Sequence, residues 1–125
     1  MLLKAQEQGT LANHIVASSS GNHAQAVAYA ANLLGKKATV FSGQNISSVK
    51  AAATRFYGAE LKLYSTRKEA DEQVKLAASQ ADTLWVPPFN HPDIIAGQGT
   101  VMADALVQTG PVDAVFAPVG GGGLV

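Results

Sequence analysis

Along the chain, short β-rich runs alternate with longer stretches in which apolar residues recur every three or four positions. Five runs have strand character: His14–Ser18, Ala38–Ser42, Leu61–Ser65, Thr83–Pro87 and Asp113–Val119. Between the first two, Ala24, Val27, Ala28, Ala31 and Leu34 recur at helical spacing, and Gly35 follows as a residue suited to the turn past a helix end. Val49, Ala52, Ala53 and Phe56 form a second apolar stripe, closed by Gly58. Ala70, Val74, Ala77 and Ala81 form a third, opened by Thr66–Glu69 at the spacing of a capping box. A fourth helix is predicted from about Ile95 to Gln108, ended by Gly110 and Pro111. Such strand–helix repetition predicts an α/β fold of three layers: a mostly parallel, open twisted sheet with helices on both faces.

Two further features concern organisation. Pro87–Asp93 places three prolines in seven residues, which excludes a central strand or a helix interior and fits a crossing between two lobes. Leu2–Gly9 has the pattern of the last two turns of a helix, and the end of the sequence runs from a strand into a glycine turn where a helix is expected to start. The chain is therefore expected to be an internal segment of a larger protein.

Composition narrows the function classes. With 47% apolar and 14% charged residues over 125 positions, the chain is globular in character and long enough for one real core. Nine basic residues balance nine acidic ones without a basic stripe, which argues against nucleic acid. No apolar run approaches the ~20 residues of a membrane span, and no signal-peptide layout opens the sequence. Zero cysteines exclude disulfides, thiolate metal sites and a cysteine nucleophile. A cytoplasmic location is the expectation.

In an open parallel sheet, ligands gather beyond the carboxyl ends of the strands. Two loops are expected at that edge: Ser18–His23 after the first strand and Gly120–Gly123 after the last. The four glycines allow several N–H groups to approach a phosphate, although a flexible tight turn is the plain alternative, and neither the P-loop nor the dinucleotide fingerprint is matched. In the first loop any serine could be a simple helix cap. Yet three hydroxyls, an amide and an imidazole exceed what capping requires. Ser19, Ser20 and the helix-start N–H groups could clasp a carboxylate, and Asn22 could bind a ring substituent. His23 is more readily structural than catalytic. His14 and His91 share no metal-ligand spacing with it, so no metal site is expected.

The segments "SSSGNHAQAVAYAA", "PPFNHPDIIAGQGT" and "VFAPVGGGGLV", with "GAELKLY" between the first two, resemble the threonine dehydratase/serine racemase group of pyridoxal-phosphate enzymes, fold type II and tryptophan synthase beta-like. The resemblance covers nearly the whole chain. It implies that Asn22 contacts the cofactor's 3-hydroxyl, that Ser19, Ser20 and His23 surround the substrate carboxylate, and that Ser20 is an acid/base candidate on one face. It implies further that Gly120, Gly121, Gly122 and Gly123 hold the cofactor phosphate, with Phe89 and Asn90 close to the cofactor. The implied organisation is the end of a helix and a link over 1–12, a small open-sheet α/β domain over 13–88, and the start of the larger cofactor domain over 89–125.

The sequence departs from the family by lacking its Schiff-base lysine, expected upstream of the serine motif, and the residue that pairs with the pyridine nitrogen, expected downstream. The implied function is a serine/threonine dehydratase-like ammonia-lyase fragment. The full enzyme would convert L-threonine or L-serine to a 2-oxo acid plus ammonia, with a small amino acid as ligand and homo-oligomeric in its full-length form. The chain alone is expected to be inactive. The alternatives are an inactive truncated module, one piece of a split enzyme, serine racemase or hydroxyaspartate dehydratase activity in the full-length protein, or an unrelated phosphate-binding α/β domain. A sulfhydrylase branch fits less well, because its serine loop usually carries threonine at the position of His23.

Overall fold

The structure, a computed structural model, describes residues 1–124; Val125, the last position of the expected 89–125 segment, lies outside them. The elements are α1 (Leu2–Glu7), β1 (His14–Ser18), α2 (Asn22–Leu33), β2 (Lys37–Gly43), α3 (Ser48–Phe56), β3 (Glu60–Tyr64), α4 (Arg67–Ala78), β4 (Thr83–Trp85) and α5 (Pro92–Thr109). The chain divides into two compact units, Leu2–Val86 and the residues from Pro87 onward.

In the first unit, four strands form a sheet in the order β3-β2-β1-β4, every pair parallel. The expected α/β architecture is the one observed. Val16, Phe41, Ala70 and Val74 form a buried cluster with Tyr64 packed against it, which places α4 on one face. Strand alternation turns Ile15, Ala17 and Val40 to the other face. There α2 packs on β1 and β2, with α3 beside it. The small buried residues of α2, Ala24, Val27, Ala28 and Ala31, let helix and sheet approach closely.

The amino edge of the sheet is stitched by polar groups. The Asp82 carboxylate accepts from the Asn13 N–H at 2.8 Å and from Asn13 Nδ2 at 2.7 Å, tying the starts of β1 and β4. Those two bonds hold the Asp82 carboxyl below its usual range. Left-handed backbone at Asp82 (φ 55°) is a conformation aspartate tolerates better than most residues.

Two expectations are corrected. The α3 stripe is not the buried one: Val49 is 77% and Phe56 84% exposed, whereas Ala51 and Thr54 are buried. The helix turns its smaller face inward, and the Thr54 hydroxyl donates to the Lys50 carbonyl at 2.9 Å, which removes the cost of burying it. Asp113–Val119 is not a strand. A strand's backbone bonds run to a neighbour, and no strand pairs with this segment among the described residues; Phe116 and Val119 stand exposed.

Helix ends follow the sequence more closely. Thr66 caps α4 by accepting from the Glu69 N–H at 3.1 Å, and Glu69 Oε2 accepts from the Ser65 N–H at 3.1 Å. The last helix starts a turn earlier than expected. His91 caps it, its Nδ1 accepting from the Asp93 N–H at 3.2 Å, and Pro92 occupies the first helical position, where its missing N–H costs nothing. None of the side chains of α5 is buried.

Ile15, fully buried in the central strand, is expected to cost about 2–5 kcal/mol when replaced in Ile15→Ala, against less than about 1 kcal/mol for Leu33→Ala on the exposed side of α2. Urea denaturation of the two variants measures the difference.

Candidate functional site

β1 delivers the chain into the corner Ser18–His23. Ser18 and Ser19 are buried, Ser20 and His23 are half-buried, and Asn22 is exposed as the first residue of α2. No serine caps that helix. Its N-cap is Gly21, without a side-chain hydrogen bond, and no acidic residue lies in its first turn. The first N–H groups of α2 are thus left for an outside acceptor, at the end of the helix where an anion is favoured.

The hydroxyl oxygen of Ser19 accepts from the Gly21 N–H at 3.2 Å, while its O–H remains available to donate. Among the described residues, the side chains of Ser20 and Asn22 have no hydrogen-bond partner. The corner therefore offers two hydroxyls, an amide and open N–H groups to a carboxylate or a ring hydroxyl.

His23 is committed elsewhere. Its Nε2 lies 3.0 Å from the Val86 carbonyl oxygen, so that nitrogen carries the proton and donates. Burial lowers its pKa below the usual 6.5; the Val86 carbonyl opposes the shift, and the positive charge of Arg67 adds to it. A neutral ring with only Nδ1 left over is a packing and orienting group first.

The sequence reading missed two residues here. Asp71 accepts from the Ser18 hydroxyl and, at 2.9 Å, from Arg67 Nε, and Arg67 Nη2 donates to the Ser18 carbonyl at 3.2 Å. Burial pushes the Asp71 carboxyl up, but the Ser18 hydroxyl and the Arg67 guanidinium outweigh it and hold the group below its usual value. The Arg67-Asp71 spacing of i, i+4 was visible on α4, but it marks an ordinary helix-face pair. Nothing local announces a bond to a residue some fifty positions earlier.

In the second unit the glycine loop lies against the proline-rich link. A Cβ on Gly121 would come within 2.7 Å of Phe89 Cε1, one on Gly123 within 2.7 Å of the Pro88 carbonyl oxygen, and Gly122 has a left-handed φ of 81°. Side chains are excluded at all three, which leaves a bare-backbone cradle suited to a phosphate. A cavity of about 170 Å³ opens between this loop, Phe89, Asn90 and the first turns of α5, where Ile94 and Gln98 also line it. The loop does not leave a strand, contrary to expectation.

Another depression lies elsewhere: an open groove of about 870 Å³ at the amino edge of the sheet, lined by Asn13, His14, Lys37, Thr39, Glu60 and Asp82 among others. Helices α2, α3 and α4 end toward that edge with their carbonyl-bearing termini, a setting that disfavours anions. Volume alone does not make it the site of phosphate or carboxylate chemistry.

Comparison with known proteins gives these features a family. The family described as "Pyridoxal-phosphate dependent enzyme" matches residues 1–125. The chain belongs to this family. L-threo-3-hydroxyaspartate ammonia-lyase of Saccharomyces cerevisiae is 46% identical over 113 residues, covering 89% of this chain and 34% of that enzyme. The biosynthetic L-threonine dehydratase of Escherichia coli is 41% identical over 114 residues, 90% of this chain and 22% of that enzyme. Among solved structures, a pyridoxal 5'-phosphate-dependent aspartate racemase superposes with a TM-score of 0.87 at 32% identity, covering 98% of this chain and 37% of that one. The serine racemase of maize gives a TM-score of 0.82 at 32% identity, covering 95% of this chain and 36% of that one. The chain thus spans about a third or less of the length of the curated relatives it matches.

The cofactor of the family is pyridoxal phosphate, and the residues present fit its anionic end. A cradle that a β-carbon would fill is what a phosphate needs, and the α2 terminus suits a carboxylate. Neither Ser18–His23 nor any position from Pro87 onward contains a lysine. The lysines present lie outside both, Lys62 for example 5.9 Å from the centre of the Phe41 ring.

Because the His23 pKa is lower in the folded protein than the usual 6.5, the unfolded chain takes up the proton first as pH falls. Stability is expected to be full above about pH 7 and to decline as pH drops through 6.5 toward the lower folded value. His23→Gln should flatten that part of the curve, measured by urea denaturation at stepped pH.

Proposed function

We propose that this chain is the cofactor- and substrate-carboxylate-binding portion of a serine/threonine dehydratase-like ammonia-lyase, which in its full length converts L-threonine or L-serine to a 2-oxo acid and ammonia. The observation that carries the reading is the uncapped, acid-free start of α2 beside the hydroxyl proton of Ser19 and the side chains of Ser20 and Asn22, which have no hydrogen-bond partner among the described residues. A helix start without its own cap is arranged for a ligand rather than for itself. Family membership names the ligands.

Bound pyridoxal phosphate supplies an electron sink for the α-carbon of an amino acid. Gly120, Gly121, Gly122 and Gly123 hold its phosphate through backbone N–H groups, Asn22 meets its 3-hydroxyl, and Phe89 and Asn90 lie close to it. Ser19, Ser20 and the α2 N–H groups orient the substrate carboxylate, and His23 borders it while anchored to Val86. Ser20, whose hydroxyl has no partner among the described residues, holds or delivers a proton on one face. Residues 1–12 form a helix end and link, 13–88 a small open-sheet domain, and 89–125 the start of the larger cofactor domain. The enzyme is proposed to be cytoplasmic and a homo-oligomer in full length.

The second substrate reading is L-threo-3-hydroxyaspartate, favoured by two lyases so named that are 46% and 45% identical to this chain.

The test uses the full-length protein with L-threonine, L-serine and L-threo-3-hydroxyaspartate, measuring oxo acid and ammonia. Release from threonine or serine supports the proposal; release from hydroxyaspartate alone moves it to the second reading; D-serine without oxo acid would make the protein a racemase. Gly121→Ala, whose methyl would collide with Phe89, is expected to weaken pyridoxal phosphate binding by ~10-fold or more. The 125-residue chain alone, mixed with the cofactor and L-threonine, is expected to release no oxo acid.

A further inference from the structure

Helix α4 holds the end of β1 by two bonds to Ser18, and a third joins the two helix residues that make them. Ser18 gives its hydroxyl proton to Asp71 Oδ1, Arg67 Nε donates to the same oxygen at 2.9 Å, and Arg67 Nη2 donates to the Ser18 main-chain oxygen at 3.2 Å. Ser18 is 3% exposed, while the side chains of Arg67 and Asp71 are about half exposed, at 48% and 45%. The helix thus reaches inward to the strand end from its surface side.

The need for this arrangement comes from the sheet. In a parallel ladder, alternate residues of β1 face β4. The Val16 carbonyl accepts from the Val86 N–H at 2.9 Å, the rung just past the paired residues of β4. The corresponding acceptor two residues later is the Ser18 carbonyl, which lies past the last paired residues of that ladder. Arg67 supplies a donor to that carbonyl. A surface i, i+4 pair needs no third partner; here both members converge on the residue that leads into Ser19–His23.

We propose that Arg67 and Asp71 are positioning residues for the anion-binding corner, fixing the hydroxyl and carbonyl of Ser18 so that Ser19, Ser20 and the first N–H groups of α2 point at the substrate carboxylate. The role assigned to that carboxylate rests on the function proposed above; the aiming of the corner does not. The charge of Arg67 is felt at His23, where it adds to the lowering already caused by burial, so the guanidinium also contributes a positive field to the same corner.

The experiment compares wild type, Asp71→Asn, Ser18→Ala and the conservative Ser18→Thr in the full-length enzyme. It reads amide hydrogen exchange of the peptide spanning Ser19–Ala24 together with kcat and KM for the hydroxy amino acid. Asp71→Asn and Ser18→Ala are expected to speed exchange about fivefold or more and to raise KM by a similar factor, with kcat within about twofold. Ser18→Thr, which keeps the hydroxyl, should restore both. Unchanged exchange in Asp71→Asn and Ser18→Ala would overturn the proposal, as would faster exchange with an unmoved KM. If the wild type turned over no hydroxy amino acid, the substrate reading would fall and exchange alone would decide the positioning role.

Discussion

β1 lies between two parallel neighbours and stops where its chain turns into the corner, so the last peptide groups along the β1–β4 edge must find partners outside the ladder. A buried carbonyl left without a donor costs roughly 1–3 kcal/mol, enough to unsettle a small sheet. Two side chains meet the requirement. His23, from α2, donates to the Val86 carbonyl, and Arg67, from α4, donates to that of Ser18. Helices packed on opposite faces of the sheet are thereby fastened to the ends of two neighbouring strands, β4 and β1.

The polarity of the sheet sorts the chemistry. At the carboxyl edge, helix starts bring N–H groups, hydroxyls and the guanidinium of Arg67, which is paired with Asp71. At the amino edge, helix ends bring carbonyls, and the polar work there is structural, as in the Asp82 clasp on Asn13. One parallel arrangement thus yields a groove edged by carbonyl-bearing helix ends and a corner edged by helix N–H groups.

Much of this could be read from the sequence because it is local. Strand alternation, the Thr66 cap and the glycine stops at Gly35 and Gly58 each depend on residues within a turn or two. The errors arose where a partner decides. The stripe Val49–Phe56 is the more apolar side of α3, but the neighbouring α2 admits only the smaller side carrying Ala51 and Thr54. Asp113–Val119 has strand composition, yet a strand exists only beside another strand. The corner was legible as a cluster of hydroxyls after β1, and its link to Arg67 and Asp71 was not, because those bonds join segments far apart in sequence. The capping role of His91 was hidden for a different reason: histidine is an uncommon helix cap, and the adjacent proline masked the start of α5.

The contact between Phe89 and Gly121 carries a consequence for how such sequences can drift. The ring already occupies the volume that a side chain at 121 would need. Neither position is then free to vary alone: enlargement at 121 becomes tolerable only after the aromatic at 89 has shrunk. Across related proteins the pair should behave as one inherited character, with substitutions at the two sites arriving together or not at all.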